Sequence, residues 1–436
     1  MSKLKIEILN SLKETLSSSS VHGIANIIKS KYITIKIMWI VFFIISNGFC
    51  SWFIFNSIAD YLSYDATSKI EIKYERLLKF PMVSLCNLNP LLSKYDLKQV
   101  VISCKFNLVN CDLENDFEFY YDSNYLICFR YNSGKNANGK TVPSKYSYIK
   151  GGSLNALNLE LFVGSTNDDP DSDYGITENG LMLFITDESS SSESIDGIKV
   201  STGFSTDIIL NKFTIILKAY PYSNCVEDLT TINSYKSICY KKTLATNKTY
   251  RFIDCANLCF QKYVGDECNC QIYFMGPFYY TNLSDYKSEN INCVTQSYTE
   301  FGKTTKYLDE CDCPLECQKS GYTYSYSMSE YPTKSYMNTL KNSSLIQKFY
   351  ANNDQNITYE NLREKILTVR IFYDELKHTI IRNEVKTSLA SLVSNLGGTI
   401  GLFCGFSFLS IVELFEVIVQ SIIIIAQNNG KNKIAF

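Results

Sequence analysis

The sequence predicts a membrane protein of α+β class, with two transmembrane helices flanking a large, disulfide-rich, β-rich extracellular domain. Three observations predict it: two uncharged apolar runs towards the ends, a cysteine set held almost wholly between them, and strand-like alternation across the middle. Ile37 to Ala59 ("IMWIVFFIISNGFCSWFIFNSIA") contains no Asp, Glu, Lys or Arg. As a helix it is roughly 34 Å long, enough to cross a hydrocarbon core with some tilt. Thr387 to Val412 is likewise uncharged, and after Glu413 and Glu416 the run "VIVQSIIIIAQ" continues it. Five segments follow: a cytoplasmic 1–36, a first span 37–59, an extracellular 60–386, a second span 387–427 and a cytoplasmic 428–436. A cleaved leader is disfavoured for the first run, which follows a long polar segment and has no small-residue cleavage site behind it.

Orientation rests on three signals. Lys29, Lys31 and Lys36 flank the first run on its N-terminal side, and Lys431 and Lys433 follow the second. Basic flanks belong in the cytoplasm, so both termini are expected inside. Of 16 cysteines, all but Cys50 and Cys404 lie between the runs, and an even set there reads as a disulfide framework in an oxidising compartment. Glycosylation sequons begin at Asn247, Asn282, Asn342 and Asn356, all in the same region. The expected location is the plasma membrane.

Within the middle region "KFPMVSLCNL", "LNLELFV", "GLMLFITD", "FTIILKAY" and "KILTVRIFYDEL" place β-branched and aromatic residues at strand spacing. Cys255 to Cys317 reads instead as helical stretches crossed by cysteines, with "CANLCFQKYVGDECNC" and "CDCPLEC" the densest blocks. Such spacings also suit zinc, but no histidine is near and an oxidising compartment favours bridges. No metal or other cofactor is expected. The acidic stretches "STNDDPDSDYGITE" and "DESSSSESID" read as solvated loops.

These blocks, in their order, resemble the degenerin, epithelial sodium channel and acid-sensing ion channel family nearly from end to end. "VHGIANI" resembles that family's cytoplasmic gating motif, with the His-Gly pair at His22 and Gly23. "FPMVSLCNLNP" resembles the block after its first membrane helix. "CFRYNSGK" and "GGSLNALNLEL" resemble its palm and β-ball strands, and the cysteine-dense blocks its helical thumb. "LVSNLGGTIGLFCGFSFLSIVELFE" resembles its second membrane helix.

The resemblance implies a trimer, since two helices per chain cannot enclose a pore. It implies the pairs Cys86–Cys128, Cys104–Cys111, Cys225–Cys317, Cys255–Cys313 and Cys259–Cys311, leaving two further bridges among Cys239, Cys268, Cys270 and Cys293. Only 18 positions separate Cys86 from Cys104, so the finger subdomain is expected to be reduced, which weighs against proton gating. Tyr64 and Tyr222 match an aromatic pair that couples the thumb to the pore. Gly405, Phe406 and Ser407 align with the sodium-selecting constriction, and Glu413 with a glutamate below it. Ser394 and Asn395 stand at the outer mouth, near the expected amiloride site. Gly398 and Gly401 complete the pore-lining set, and Gly401 with Gly405 also makes a GxxxG packing spacing. Cys404 has no role in this scheme.

The implied function is a sodium-selective, voltage-insensitive, amiloride-sensitive cation channel, homo- or heterotrimeric. Its extracellular domain would gate it, through a peptide or small-molecule ligand or constitutively. A non-conducting cell-surface receptor or auxiliary subunit, or an ATP-gated type of trimeric channel, are the alternatives. With 42 Lys and Arg against 44 Asp and Glu, nothing suggests a nucleic-acid partner. His22 and His378 are the only histidines, and no GxSxG or HExxH is present, so an enzyme is not expected.

Overall fold

The computed structural model describes residues 24–88, 96–122, 125–148, 152–164, 178–187, 197–246, 250–272, 284–285, 290–303, 310–352 and 356–407, then 410, 412, 415–416, 418–419 and 422–423. The chain forms two compact units, Met1–Thr67 with Glu384–Phe436, and Ser68–Asn383.

The larger unit is built on two sheets. In the seven-stranded sheet, β10 (Phe204–Ile216) lies between β11 (Gln318–Glu330), antiparallel to it, and β12 (Ile366–Val385), parallel to it. The order continues through β7 (Leu157–Phe162), β3 (Val101–Phe106) and β4 (Val109–Asn110), while β1 (Ala66–Tyr74) also pairs with β12. The five-stranded sheet runs β9 (Ile198–Ser201), β8 (Gly180–Thr186), β2 (Met82–Asn87), β6 (Leu126–Tyr131) and β5 (Phe117–Asp122). All seven residues of β8 and the first five of β2 are buried, so these read as continuous apolar runs. Leu157, Leu159, Leu161, Leu183, Ile208, Leu210, Val369 and Ile371 are wholly enclosed in one core with Phe80 and Tyr131. Fully burying each such aliphatic side chain stabilises the fold by about 1.5–3 kcal/mol.

Disulfides fasten what this core does not reach. Cys86 and Cys128 are bonded, as directly opposed residues of β2 and β6, and Cys104 with Cys111 closes the turn beyond β3. Helices α2 (Ile238–Thr246), α3 (Phe252–Cys268) and α4 (Ile291–Lys303) form a separate cluster. Cys255 and Cys259 lie one turn apart on α3, hence on one face, and bond to Cys313 and Cys311. Cys225–Cys317 ties the base of this cluster and Cys268–Cys293 joins α3 to α4.

The expectation of two bridges among Cys239, Cys268, Cys270 and Cys293 needs correction. One forms, and Cys239 and Cys270 are free, buried thiols. They sit in different apolar clusters, Cys239 with Tyr240, Tyr250 and Cys259, and Cys270 with Phe260, Val264 and Ile272.

The smaller unit contains α1 (Ile33–Leu62), 30 residues long and apolar enough to cross a membrane, and α5 (Leu389–Cys404), apolar but of 16 residues. α1 overruns the expected first span at both ends. Within the second expected span α5 stops at Gly405, the first residue of the constriction the resemblance implies.

Candidate ion pathway

Ser388 opens α5 by accepting the Ser391 amide on its hydroxyl (3.1 Å), which satisfies one of the free N–H groups of the first turn. Just ahead of it, the Lys386 ammonium meets the Asp65 carboxylate at 3.0 Å, and the Lys386 amide donates to the Asp65 carbonyl at 3.0 Å. The lysine's hydrogen bond and charge hold this exposed carboxyl below its ordinary range. These contacts tie the segment leaving α1 to the segment entering α5.

The two sides of α5 differ. Leu392, Leu396, Thr399, Ile400 and Phe403 share one side at helical spacing and are partly covered. There α1 packs: the Phe403 ring stacks with Phe49 and Phe53 at 6.4 and 5.6 Å, and the Ser46 hydroxyl donates to the Phe403 carbonyl at 2.6 Å. On the other side Ser391, Ser394, Asn395, Gly398 and Gly401 are exposed. A Cβ placed on Gly397 or Gly398 meets nothing within 4 Å. Among the described residues nothing covers this side of α5, which also carries the exposed Leu402.

Gly405 ends the helix in the left-handed region, at φ 64° and ψ 21°, with its amide donating to the Gly401 carbonyl at 3.0 Å. A residue with a Cβ is strained there, which is why glycine takes the position. Helical geometry resumes at Ser410 and Val412. The Ser407 amide donates to the Ser410 hydroxyl and the Ser410 amide to the Ser407 carbonyl, both at 3.0 Å, closing a turn between these two residues. Among the described residues the carbonyls of Gly405 and Phe406 accept no hydrogen bond. At membrane depth such oxygens are tolerated only against protein or a water-filled passage. The segment Gly405–Ser407 thus follows the end of α5 with two backbone oxygens that no described donor reaches.

The other expected site residues are placed as follows. Tyr64 has positive φ (51°), a strained setting for an aromatic residue, and its ring lies 6.3 Å from that of Tyr61. Tyr222 belongs to the larger unit, where its amide closes a turn onto the Ala219 carbonyl at 3.1 Å. Asn342 and Asn356 are exposed. His22, Gly23, Glu413, Asn247 and Asn282 lie outside the described residues.

Three residues of this region escape a reading of the sequence. Ser46 and Asn47 become visible only through the packing of α1 on α5. Ser410 could have been found from its spacing of three to Ser407, which suits a local turn inside an otherwise apolar run.

In the larger unit, His378 of β12 meets the Thr214 hydroxyl at 2.8 Å and has Glu75 at 4.0 Å. Burial, and then the charge of Lys212, pushes its imidazole below the ordinary histidine value.

The whole arrangement has counterparts among known proteins. The profile of the amiloride-sensitive sodium channel family matches residues 15–99 and 91–417. The bile acid-sensitive ion channel of Rattus norvegicus is 23% identical over 93% of this chain and 86% of its own. Acid-sensing ion channel 1A of Danio rerio is 24% identical over 92% and 86%. The FMRFamide-activated amiloride-sensitive sodium channel of Cornu aspersum is 21% identical over 94% and 83%. The profile match takes in both apolar helices, the cysteine-bridged β-rich unit and the helix break at Gly405, so this chain belongs to the amiloride-sensitive sodium channel family.

Proposed function

We propose that the chain is a subunit of a sodium-selective, amiloride-sensitive, trimeric channel of the plasma membrane. In this reading α1 and the broken helix through α5 both span the bilayer, with the two termini in the cytoplasm. The observation that carries it is the end of α5 at Gly405, where the Gly405 and Phe406 carbonyls accept no hydrogen bond among the described residues, on a helix with one face exposed among those residues.

Three copies around an axis would bring Ser394, Asn395, Gly398 and Gly401 together as the pore wall, with α1 on the outside. The Gly405, Phe406 and Ser407 backbone then forms the constriction. Carbonyl oxygens can replace part of the hydration shell of a small cation, and chemistry of this kind sets selectivity in pores. The Phe406 side chain turns away, leaving its carbonyl as the useful group. Glu413, just beyond, would draw cations by its charge. No run of arginines is available as a voltage sensor.

Gating falls to the larger unit, where the bridges along α3 stiffen a helical lever and Tyr64 with Tyr222 would couple it to the pore helices. Relatives are named for a bile acid, for an amidated peptide and for acid; the short interval between Cys86 and Cys104 is what weighs against protons.

The test is Ser394→Cys followed by a bulky cationic thiol reagent from outside. The expected result is a current that rises or locks open, while the unsubstituted chain is unaffected. Current in the variant that ignores the reagent would remove Ser394 from the pore wall.

A further inference from the structure

Cys50 and Cys404 have no place in the conduction scheme, yet the fold brings them together. Cys50 is the one described residue of α1 that is fully buried, and Cys404 is the last residue of α5. Their sulfurs lie 3.6 Å apart, and the Cys404 sulfur is 3.7 Å from Asn47 Oδ1. Asn47 stands one turn before Cys50 on the same face of α1. Its Nδ2 donates to the Phe43 carbonyl at 2.7 Å, which turns Oδ1 towards the thiols.

We propose that Cys50, Cys404 and Asn47 form a binding site for a thiophilic divalent cation of the zinc and cadmium class. Two thiolates about 2.3 Å from a tetrahedral metal ion stand roughly 3.8 Å apart, close to the spacing already present. The Asn47 oxygen supplies a third donor, and the fourth position is left for water. Binding replaces two S–H bonds by two metal–sulfur bonds, releases two protons and changes no oxidation state. Sulfur donors select soft metals over sodium, magnesium or calcium, so permeant hard cations leave the site alone. The scaffold is firm: the Ser46 hydroxyl and the Phe49 and Phe53 rings hold Phe403, the residue before Cys404.

A metal here ties the end of α5 to α1 directly upstream of the Gly405 break. Its effect on current rests on the channel reading; the site itself does not. The experiment titrates full-length protein, purified without oxygen and held in lipid nanodiscs, with cobalt(II). The expected result is a thiolate-to-cobalt charge-transfer band that cadmium displaces. The band is lost in C50S, C404S and the corresponding alanine variants, and unchanged in C239S and C270S, which remove the free thiols of the larger unit. Each variant is matched to the unsubstituted protein by size-exclusion profile and melting temperature. No band, or a band that survives C50S and C404S, overturns the proposal. Cadmium is also applied to cells expressing the chain, where it alters the current of the unsubstituted protein and leaves that of C404S unchanged. A cobalt band in a protein that never conducts upholds the metal site and counts against the channel reading alone.

Discussion

Replacing Gly405 by alanine probes the helix break where the backbone depends on it most. At φ 64° and ψ 21° an added Cβ costs about 1–2 kcal/mol. The same change favours an uninterrupted helix by about 1 kcal/mol, the difference in propensity between alanine and glycine. The balance therefore moves towards a continuous helix by about 2–3 kcal/mol, or roughly 30- to 150-fold at about 1.4 kcal/mol per tenfold. A continuous helix withdraws the Gly405 and Phe406 carbonyls into its own hydrogen bonds. Two-electrode voltage clamp with sodium and potassium exchanged outside, alongside surface biotinylation, reads the outcome. Gly405→Ala should reach the surface and lose most of its sodium preference, its conductance, or both. Gly48→Ala is the control: Gly48 lies in α1 with nothing within 4 Å of an added Cβ, so selectivity should hold. Unchanged selectivity and conductance in Gly405→Ala would refute the role given to the break.

Two further predictions concern the larger unit. Cys255→Ser with Cys313→Ser removes a bridge nested around Cys259–Cys311, so it opens only a ring of about eight residues and should lower stability by about 2–3 kcal/mol on the chain-entropy account, seen as an earlier thermal transition of the full chain; an unmoved transition would contradict it. For His378, burial depresses the folded-state pKa below the ordinary value of 6.5, so the neutral ring is the form the fold favours. Its contribution is complete above pH 6.5 and is lost as pH falls through the lower folded value. Melting temperature should fall on acidification through that window, and His378→Gln should flatten the fall; equal slopes in the two proteins would contradict the assignment.

Much of the fold was legible because burial leaves plain marks on composition. β2 and β8 are covered on both faces and appear as apolar runs, β7 alternates leucines with Asn158 and Glu160, and all three lie where strands are expected. Strand β10 was anticipated only from Phe213, because its first half alternates with polar residues that face outward or pair across the sheet, as Asp207 does with Arg370 at 2.5 Å. In the second apolar run composition alone allows an unbroken helix; a break at Gly405-Phe406-Ser407 is what the resemblance implies, and the left-handed conformation of Gly405 gives the end of α5 there its physical reason. Cysteine pairing shows the limit of spacing most clearly. Four leftover cysteines permit two bridges on paper, but Cys239 and Cys270 are buried in separate clusters of the helical subdomain. The nearness of Cys50 to Cys404, 354 positions apart in sequence, is purely a product of how α1 and α5 pack.

The most direct measurement is the reversal potential of the chain expressed alone in oocytes, with potassium replacing external sodium, with and without amiloride. It is made at rest and under bile acid, amidated peptide and acid. A sodium-selective channel gives a current that amiloride blocks and a reversal potential that moves to more negative values on the exchange. Abundant surface protein with no current under any of these conditions, or a reversal potential that ignores the exchange, would contradict the proposed function.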